Sequence, residues 1–282
     1  MQIKTTHGPD MTHPPGSTSR QAAAVDTRAR ITRGIVAELV GRWVKRGLDI
    51  AVSAVLLLVL APVFAVIAIA IKVDGRGPVF YRAQRVGRNG RPLAVLKFRK
   101  MVDGARGSAL TVSGDNRLTP VGRFLTEHKL DEMPQLWNVL RGGMSFIGPR
   151  PEDGKFVDLF PEEYANEILR VRPGITGLTQ LAFAHESRLL DASDRERDYR
   201  ERLLPGKVEL DRLYVAKRSL LMDARIFLWT VFAIASGRDI AVNRRTGHVG
   251  IRRRTTDVAP VADATSDTAR SDTVLSEAPA SQ

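Results

Sequence analysis

A long apolar run constrains this chain more than any other feature. Residues Ile50 to Ile71 read IAVSAVLLLVLAPVFAVIAIAI, and only Ser53 and Pro62 among these 22 residues are not plainly apolar. About 20 apolar residues cross a bilayer, and most buried core helices carry shorter runs. The run begins at residue 50, after a polar stretch, which is unlike a cleavable signal peptide. The sequence therefore predicts a retained membrane helix.

Both ends of this run are basic, which bears on its orientation. Residues 28–49 contain six Lys or Arg and two acidic residues, whereas residues 72–100 contain nine Lys or Arg and the single acid Asp74. Basic flanks favour the cytoplasmic side, so a simple crossing would leave one of them on the opposite face. Pro62 lies near the middle of the run, where it would kink or break a helix. We therefore expect a re-entrant helix over residues 41–75 with both ends cytoplasmic; a straight spanning helix with a tolerated proline is the alternative.

Composition narrows the classes of partner. The chain has 43 Lys or Arg against 31 Asp or Glu, a net charge of +12, which predicts attraction to lipid headgroups, phosphorylated substrates or nucleic acid. Aromatic content is only 6% and no nucleic-acid-binding motif occurs, so we predict no nucleic-acid partner. The lack of cysteine excludes disulfides and thiolate metal sites, and the five histidines lack the i, i+4 spacing of a zinc-binding helix.

Two polar tails flank the predicted folded part. Residues 1–40 and 241–282 lack periodicity and are rich in small or polar residues. They predict a disordered basic N-terminal tail and a C-terminal tail that is basic and then disordered. Between the membrane helix and the second tail, residues 76–240 form one predicted cytoplasmic domain.

Within this domain the sequence predicts an α+β fold that is mainly helical. Asn89-Gly90 separates two segments of β-branched and aromatic residues, which is typical of a small β-hairpin. Helical patterns cover residues 156–171, 191–204 and 207–235. The apolar part from Ile226 is too short to cross a bilayer, so we expect amphipathic helices at the membrane surface or in the core.

The stretch KLDEMPQLWN, residues 129–138, places Asp131 and Glu132 side by side before an apolar helical pattern. Carboxylates favour the positive end of a helix dipole and Pro134 suits a first turn, so helix capping is one interpretation. Chemistry is the other, because Arg150 follows between two prolines. A guanidinium on a stiff backbone suits bidentate recognition of phosphate oxygens, although such a turn is also an ordinary surface loop.

Five motifs in one order are more specific than any of them alone. After the interrupted apolar run come KFRKM (97–101), GRFL (122–125), LDEMPQLWNVLRGGMSFIGPRP (130–151), RPGITGLTQ (172–180) and LDRLYVAKRSLLMDARI (210–226). This order resembles the bacterial sugar transferase family, the monotopic polyprenyl-phosphate hexose-1-phosphate transferases that start exopolysaccharide and related glycan assembly. The resemblance covers Trp43 to Ala235.

The resemblance implies phosphoryl transfer by the acidic pair. Asp131 would attack the β-phosphate of a UDP-sugar, UMP would leave, and polyprenyl (undecaprenyl) phosphate would then take the sugar phosphate from the enzyme. Glu132 would hold Mg²⁺, which offsets the repulsion between carboxylate and pyrophosphate. The implied catalytic domain lies on the cytoplasmic face of the inner membrane, in contact with membrane lipids. The implied substrate-binding residues are Lys97, Arg99, Arg123, Arg150 and Asp211.

The chain departs from the family motifs at three positions. Thr126 stands where the family has an arginine, and Arg123 or Lys129 is the candidate replacement. Lys100 replaces a threonine, which adds positive charge, and Gly143 replaces an aspartate. These departures leave open a second hypothesis, a catalytically weakened membrane-bound partner that recruits polysaccharide assembly enzymes. The sequence identifies neither the sugar nor the oligomeric state.

Overall fold

Helices dominate the structure, with small sheets between them. The structure, a computed structural model, describes residues 17–251 except 109, 113, 185, 187–189 and 191–193. Within these ranges the strands form three two-stranded sheets. The predicted fold class, mainly helical α+β, is confirmed. The disorder predicted for residues 1–16 and 252–282 lies outside the described residues.

The first helix, α1 (Ser17–Asp74), contains the apolar run and continues through Pro62. Its segment Val40–Asp74 is, among the residues described, the one helix long and apolar enough to cross a membrane, and only 11% of its most apolar window is buried. Because α1 begins at Ser17, residues 17–40 are helical and do not belong to a disordered tail as predicted. Alanine and arginine are frequent there, both are good helix formers, and no proline interrupts them.

Both flanks of the apolar run contact the rest of the protein. On the N-terminal flank, Lys45 forms an ion pair with Asp223 at 2.6 Å. On the C-terminal flank, Ile71 is buried, and the carboxylate of Asp74 accepts a hydrogen bond from the backbone N–H of Val121 at 3.2 Å. One folded unit therefore holds α1 on either side of the run.

The predicted hairpin is confirmed. Strand β1 (Phe80–Val86) pairs antiparallel with β2 (Pro92–Phe98), with Phe80 opposite Phe98 and Val86 opposite Pro92. At the turn, Asn89 has φ 58° and Gly90 has φ 72°, both in the left-handed region. Asparagine and glycine adopt this conformation at least cost, which is why this dipeptide predicts the hairpin.

Two short helices follow the hairpin and pack it against α1. The hydroxyl of Thr119 caps α2 (Pro120–Glu127) by accepting from the N–H of Gly122. A 3₁₀ turn, Leu130–Glu132, leads to α3 (Gln135–Leu140), which contacts both α1 and β2. The apolar contacts of this part are made by two groups of buried residues: Ile67, Ile71, Phe98 and Leu125, and Ala83, Val95, Val139 and Met144.

A parallel strand pair lies at the centre of the remaining chain. Strand β3 (Ser145–Ile147) pairs with β4 (Gly174–Thr176), and α6 (Leu178–Ala182) follows directly. Between the strands lie α4 (Gly154–Val157) and α5 (Glu162–Ile168). The single helix predicted over residues 156–171 is therefore divided, because Pro161 begins a new helix.

Three helices make up most of the last part of the chain. Helix α7 (Arg195–Asp198) continues through a π-helical turn into α8 (Leu204–Lys217). The helix predicted over residues 207–235 is also divided, because Ser219 caps a separate α9 (Leu220–Ser236) through a bond from Met222 N–H. Their location at a membrane surface stays a prediction.

A last hairpin occupies part of the predicted C-terminal tail. Strands β5 (Ile240–Val242) and β6 (Val249–Ile251) pair antiparallel. Ile240 and Val249 are buried in the apolar cluster that contains Leu210 of α8. The tail predicted from residue 241 is therefore folded as far as Ile251, because these apolar side chains are buried against the domain.

Candidate active site

The adjacent carboxylates Asp131 and Glu132 lie in the 3₁₀ turn between α2 and α3. Lys129 precedes this turn with φ 58°, a left-handed conformation that reverses the chain after α2. Helix α3 begins at Gln135, and its N-terminus has no side-chain capping bond. No hydrogen bond from a backbone N–H of α3 to either carboxylate is present among the described residues, so the two carboxylates do not cap the helix through side-chain bonds.

Each carboxylate instead pairs with a lysine from β2 or the residues just after it. Lys97 Nζ lies 2.8 Å from Glu132 Oε1, and Lys100 Nζ lies 3.3 Å from Asp131 Oδ2. Arg150, which follows β3, approaches the same oxygen of Glu132 at 3.5 Å. Asp131 is only 3% exposed, so lysine rather than bulk water compensates its negative charge.

These cations fix the charge state of Glu132. Burial raises the pKa of Glu132, but Lys97 and Arg150 outweigh burial and hold that pKa well below its usual range. Burial lowers the pKa of Arg150, whereas Glu132 and Glu186 raise it by more. Glu132 is therefore an anion and Arg150 a cation throughout the physiological pH range.

A second charged cluster contacts Arg150 and was not predicted from the sequence. Lys207 is 2% exposed, and its Nζ lies 2.5 Å from Glu186, 3.4 Å from Glu152 and 2.8 Å from the hydroxyl of Tyr199. Burial raises the pKa of Glu186, but Lys207 and Arg150 lower it to about 2. Only the place of Glu152 directly after the P-R-P turn hinted at this cluster, because the other members are distant in sequence.

Two adjoining cavities meet at these residues. The polar cavity, of about 110 Å³, is lined by Lys97, Lys100, Asp131, Glu132 and Arg150 among others. The apolar cavity, of about 250 Å³, lies between α1, α6 and α9. Glu132 and Arg150 line both cavities. A small charged chamber suited to phosphate groups therefore opens onto an apolar groove.

Four of the predicted site residues come together around the polar cavity, and two others lie elsewhere. Arg99 is buried and donates hydrogen bonds to the carbonyl oxygens of Ile71 at 2.9 Å, Gly75 at 2.7 Å and Arg76. Arg99 therefore caps the C-terminal end of α1 and lines neither cavity. Arg123 is exposed on α2 and also lines neither. The four that come together are Asp131, Glu132, Lys97 and Arg150.

Asp211 contacts the site indirectly. It is 4% exposed on α8 and accepts a hydrogen bond from the hydroxyl of Thr179 at 2.6 Å. Burial raises the pKa of Asp211 to about 7, although the bonds from Thr179 and from the backbone of Arg150 favour the charged form. Thr179 lines the apolar cavity, so Asp211 holds a wall residue and does not itself face either cavity.

The arginine missing at Thr126 is not replaced by Arg123. Thr126 lines the polar cavity, but its hydroxyl donates to the carbonyl of Gly122 at 2.8 Å within α2. Lys129 lines both cavities, and Lys100 is paired directly with Asp131. Positive charge therefore reaches the site from both of these lysines.

Gly143 belongs to the end of α3 rather than to the charged site. Its N–H donates to the carbonyl of Asn138 at 3.1 Å. A Cβ at this position would lie 2.9 Å from Cδ1 of Leu93, so the glycine leaves space for the hairpin. Gly143 is not among the described residues that line the polar cavity.

Glu132 is also the predicted magnesium ligand. Within the described part of the chain, no group of three or more His, Asp or Glu side chains is arranged to hold a metal ion. Mg²⁺ in phosphate-transfer sites commonly takes one or two carboxylates and completes its shell with water and substrate phosphates. Glu132, with Asp131 beside it, provides this smaller donor set, so the residues fit an ion that arrives with a phosphate-bearing ligand.

The fold places a cavity lined by cations next to an apolar groove and a long apolar helix. The model of the bacterial sugar transferase family matches residues 40–237, so the chain belongs to that family, and the resemblance found in its motifs is confirmed.

Three relatives illustrate the range of the family. The chain is 35% identical over 199 residues to a UDP-N-acetylgalactosamine-undecaprenyl-phosphate N-acetylgalactosaminephosphotransferase of Aeromonas hydrophila, over 69% of this chain and 44% of that protein. It is 36% identical to a UDP-glucose:undecaprenyl-phosphate glucose-1-phosphate transferase of Escherichia coli (strain K12), over 68% and 40%. It is 38% identical to the exopolysaccharide production protein PSS of Rhizobium leguminosarum bv. phaseoli, over 66% and 92%. The chain thus spans less than half the length of the first two relatives and most of the third.

Proposed function

We propose that this protein transfers hexose-1-phosphate from a UDP-sugar to polyprenyl (undecaprenyl) phosphate, the first membrane step of exopolysaccharide or related glycan synthesis. The observation that carries the proposal is the buried carboxylate of Asp131, 3.3 Å from Lys100 at the wall of a cavity rich in cations. Family membership and the activities named for two relatives support the same classes of substrate.

In the first half of the proposed reaction, a carboxylate oxygen of Asp131 attacks the β-phosphorus of the UDP-sugar. The bond from that phosphorus to the bridging oxygen of UMP breaks, and UMP leaves with the electron pair. Asp131 remains as an acyl phosphate, with the sugar phosphate joined through its phosphorus to the carboxylate oxygen. An internal nucleophile divides one difficult transfer into two easier ones, because each step then needs only two groups in position.

The cations of the polar cavity have separate roles in this scheme. Lys100 lies 3.3 Å from Asp131 and places a positive charge beside the proposed nucleophile. Lys97 and Arg150 share Glu132 at 2.8 and 3.5 Å, so they line the cavity as fixed charges available to phosphate oxygens. Charges held in place before the reaction stabilise the transferring phosphoryl group without reorganisation.

Glu132 is the proposed magnesium ligand. When bound there, Mg²⁺ would neutralise charge on the phosphates of the donor. Both cations reach Glu132 through Oε1, so an incoming phosphate that draws Lys97 and Arg150 to itself also releases this carboxylate. Lys97 and Arg150 would then contact the phosphates, and Glu132 would be available to Mg²⁺ in the same cavity.

In the second half, an oxygen of polyprenyl phosphate attacks the same phosphorus and the carboxylate of Asp131 is released. The apolar cavity supports this assignment, since it adjoins the polar one and shares Glu132 and Arg150 with it. Its walls include Leu56 of α1 and Ile234 of α9, which suit an isoprenoid chain. The acceptor phosphate would then lie at the boundary between the two cavities.

The proposed location is the cytoplasmic face of the inner membrane, with α1 as a re-entrant anchor. Lys45 before the apolar run and Asp74 after it contact the same folded unit. That unit is rich in buried charge and lies on one side of a bilayer, so both flanks of the run belong on that side. The contacts support a re-entrant placement over the straight crossing.

The proposal is tested by measuring UMP release from membrane fractions or detergent-solubilised protein. Reactions contain undecaprenyl phosphate, Mg²⁺ and one of a panel of UDP-sugars, so activity and donor are tested together. Asp131→Asn is expected to abolish release, and Asp158→Asn, at an exposed carboxylate on α4's C-terminal end, is the matched control. Intact-mass measurement without the acceptor should show a sugar-phosphate adduct on the wild type and none on Asp131→Asn.

Two outcomes would contradict the proposal. UMP release by Asp131→Asn at the wild-type rate would remove the nucleophile. Absence of release with every UDP-sugar, together with normal glycan production in cells carrying Asp131→Asn, would instead favour the non-catalytic partner considered from the sequence.

A further inference from the structure

A third cavity, of about 330 Å³, lies at the N-terminal end of the apolar run and is lined by six arginines. It shares no lining residue, in the part of the chain that is described, with the polar or the apolar cavity. We call it the arginine cavity. Its arginines are Arg42, Arg46, Arg88, Arg170, Arg172 and Arg218.

Carboxylates are scarce around the arginine cavity in the part of the chain that the structure describes. Its one carboxylate, Asp49, is 6% exposed and already accepts bonds from Ser145 Oγ at 2.7 Å and Phe146 N–H at 3.1 Å. Its one lysine, Lys45, is paired with Asp223. Five of the six arginines form no ion pair with any carboxylate whose side chain is described: Arg42, Arg46, Arg88, Arg170 and Arg172. Arg218 has other contacts and is left out of this statement.

Hydrogen bonds to carbonyl oxygens hold several of these guanidinium groups without neutralising them. Arg46 donates to the carbonyls of Val139 at 2.8 Å and Leu140 at 3.1 Å. Arg88 donates through Nε to Arg170 O at 3.1 Å, and Arg172 through Nε to Gly142 O at 2.9 Å. Each guanidinium has five N–H groups, so these bonds leave donors for another ligand.

The arginines repel one another at this distance. Burial lowers the pKa of Arg88, and Arg172 and Arg42 lower it further. Burial likewise lowers the pKa of Arg172, with Arg46 adding to the effect. Holding like charges together costs free energy, and an anion that enters the cavity would relieve that cost.

The arginine cavity also lies where lipid headgroups are expected. Arg42 and Arg46 precede Ile50, the first residue of the apolar run, by one to two helical turns. Trp43, between them, is 76% exposed, and tryptophan prefers the interface between water and hydrocarbon. The cavity entrance therefore belongs near the bilayer surface if α1 is anchored as proposed above.

We propose that the arginine cavity binds a phosphate-bearing anion, and that the phosphate of an anionic phospholipid headgroup is the favoured source. Arginine matches phosphate oxygens in a bidentate geometry, and a cluster of fixed guanidinium groups matches a diester or a pyrophosphate. Such binding would fix the height of the domain above the bilayer independently of the substrates. The site is separate from the transferase chemistry and does not require it.

The test uses the full chain in neutral detergent at one fixed salt concentration. Dissociation constants are measured by calorimetry for three probes: dioctanoyl-phosphatidylglycerol, dioctanoyl-phosphatidylcholine and inorganic pyrophosphate. The test variant is Arg42→Gln/Arg170→Gln, because both side chains are exposed and neither has a hydrogen bond in the described contacts. The matched control, Arg106→Gln/Arg245→Gln, removes the same charge from two other exposed arginines.

Preferential binding of phosphatidylglycerol over phosphatidylcholine, weakened roughly tenfold or more in the test variant and within about twofold of wild type in the control, supports a lipid headgroup site. Pyrophosphate binding with the same loss, but no preference between the lipids, supports a soluble phosphate compound and overturns the lipid source. Equal loss in both variants, or no binding of any probe, overturns the site. UMP release does not enter these measurements, so failure of the transferase proposal would leave the result interpretable.

Discussion

At the scale of single residues, Lys100 is a residue of the site that departs from the family motifs. Its ammonium lies 3.3 Å from the buried Asp131, while Thr126 on α2 turns its hydroxyl back to its own helix. Relative to the family motifs, α2 has one cation fewer, because Thr126 stands in place of an arginine. The segment after β2 has one more, because Lys100 stands in place of a threonine. The positive charge beside the carboxylate is thus supplied by a different element.

Replacing Lys100 by methionine is expected to reduce kcat for UMP release by about ten- to a hundredfold, or ~1.4–2.7 kcal/mol in activation free energy. The buried carboxylate of Asp131 would lose the cation that lies 3.3 Å from it, and the transferring phosphoryl group would lose a fixed positive charge beside it. Steady-state kinetics should show the loss in kcat, because Lys100 acts through Asp131. A change confined to KM would show that Lys100 only binds donor.

Two further variants sharpen this prediction. Lys100→Arg should retain more activity than the methionine variant, because it keeps the charge. Lys100→Thr/Thr126→Arg, which restores the family residues at both positions, should recover activity lost in Lys100→Thr alone. Additive losses in the double variant would contradict the compensation.

The raised pKa of Asp211 predicts how stability changes with pH. The folded protein keeps the proton of Asp211 up to about pH 7, whereas the unfolded chain releases it near 3.8. Between these values folding takes up a proton, so this residue's contribution to the free energy of unfolding falls as pH rises and is constant above pH 7. Asp211→Asn should therefore be more stable than wild type at pH 8, by up to about 4 kcal/mol.

Thermal unfolding at pH 5 and pH 8 in detergent checks the sign of this effect. The difference in Tm between Asp211→Asn and wild type should grow with pH, and Asp158→Asn should show no such trend. A difference that stays constant between pH 5 and pH 8 would show that Asp211 is already charged in the folded protein at pH 5.

Single residues also show how much of the candidate site could be predicted from the sequence. The motifs identified Asp131, Glu132 and Arg150, because their spacing and neighbours belong to one family. Lys207 and Glu186 were not predicted, because each is an ordinary charged residue in the sequence. The fold brings the Nζ of Lys207 to 2.5 Å from the carboxylate of Glu186. Motifs identify residues that follow a family pattern more easily than residues whose contacts depend on the fold.

At the scale of elements, the close contact between α2 and the chain after β2 positions Lys100. A Cβ at Gly122 would lie 1.8 Å from the carbonyl oxygen of Lys100, so only glycine permits the approach. The N–H of Thr119 also donates to that carbonyl at 3.1 Å. The first turn of α2 therefore fixes the backbone from which Lys100 reaches Asp131.

Gly122→Ala is expected to lower the free energy of unfolding by about 1–3 kcal/mol and to reduce UMP release, because α2 must move away from Lys100. Gly154→Ala is the matched control, since its added Cβ would meet only Val86 Cγ2 at 3.9 Å. Chemical denaturation and kinetics measure both effects. Full activity and stability in Gly122→Ala would show that the contact does not position Lys100.

Elements differ in how well their sequences predict them. The first hairpin was predicted correctly because Asn89-Gly90 defines its turn locally. The division between α8 and α9 at Ser219 was not predicted, since no proline or glycine marks it in the sequence. Strands β5 and β6 were missed because three-residue strands carry little pattern, and burial of Ile240 and Val249 depends on distant helices.

At the scale of the whole molecule, the placement of the apolar helix is the main question. The folded unit contacts α1 at Lys45 and again at Asp74, on opposite sides of a run with a tolerated proline at position 62. The sequence predicted the apolar helix and its basic flanks. It did not predict that one domain contacts both flanks, because those contacts join residues far apart in the chain.

The lack of cysteine in the chain allows a direct labelling test of this placement. Single cysteines at Val40, Leu58 and Val73, which are 56%, 78% and 83% exposed, report on the two flanks and the middle of the run. A membrane-impermeant maleimide should label Val40→Cys and Val73→Cys in inside-out vesicles and neither in intact spheroplasts. Leu58→Cys should stay unlabelled in both, because lipid covers it.

Labelling of either flank from the outside of spheroplasts would contradict the re-entrant placement and favour a straight crossing. Permeabilised cells provide the control, because both flanking cysteines must react there whatever the orientation. UMP release by each single-cysteine variant shows that the labelled protein is folded.

One short segment, Lys97 to Lys100, fixes the distance between the two carboxylates of the site and the end of the apolar helix. Lys97 and Lys100 hold the two carboxylates, and Arg99 between them holds the carbonyl oxygens that end the apolar helix. The two carboxylates and the end of the apolar helix are therefore contacted by the same four residues, Lys97 to Lys100. A tilt or a sinking of α1 in the lipid would carry Asp131 and Glu132 with it, so the distance between these carboxylates and the end of the helix is set by the chain and not by the thickness of the membrane.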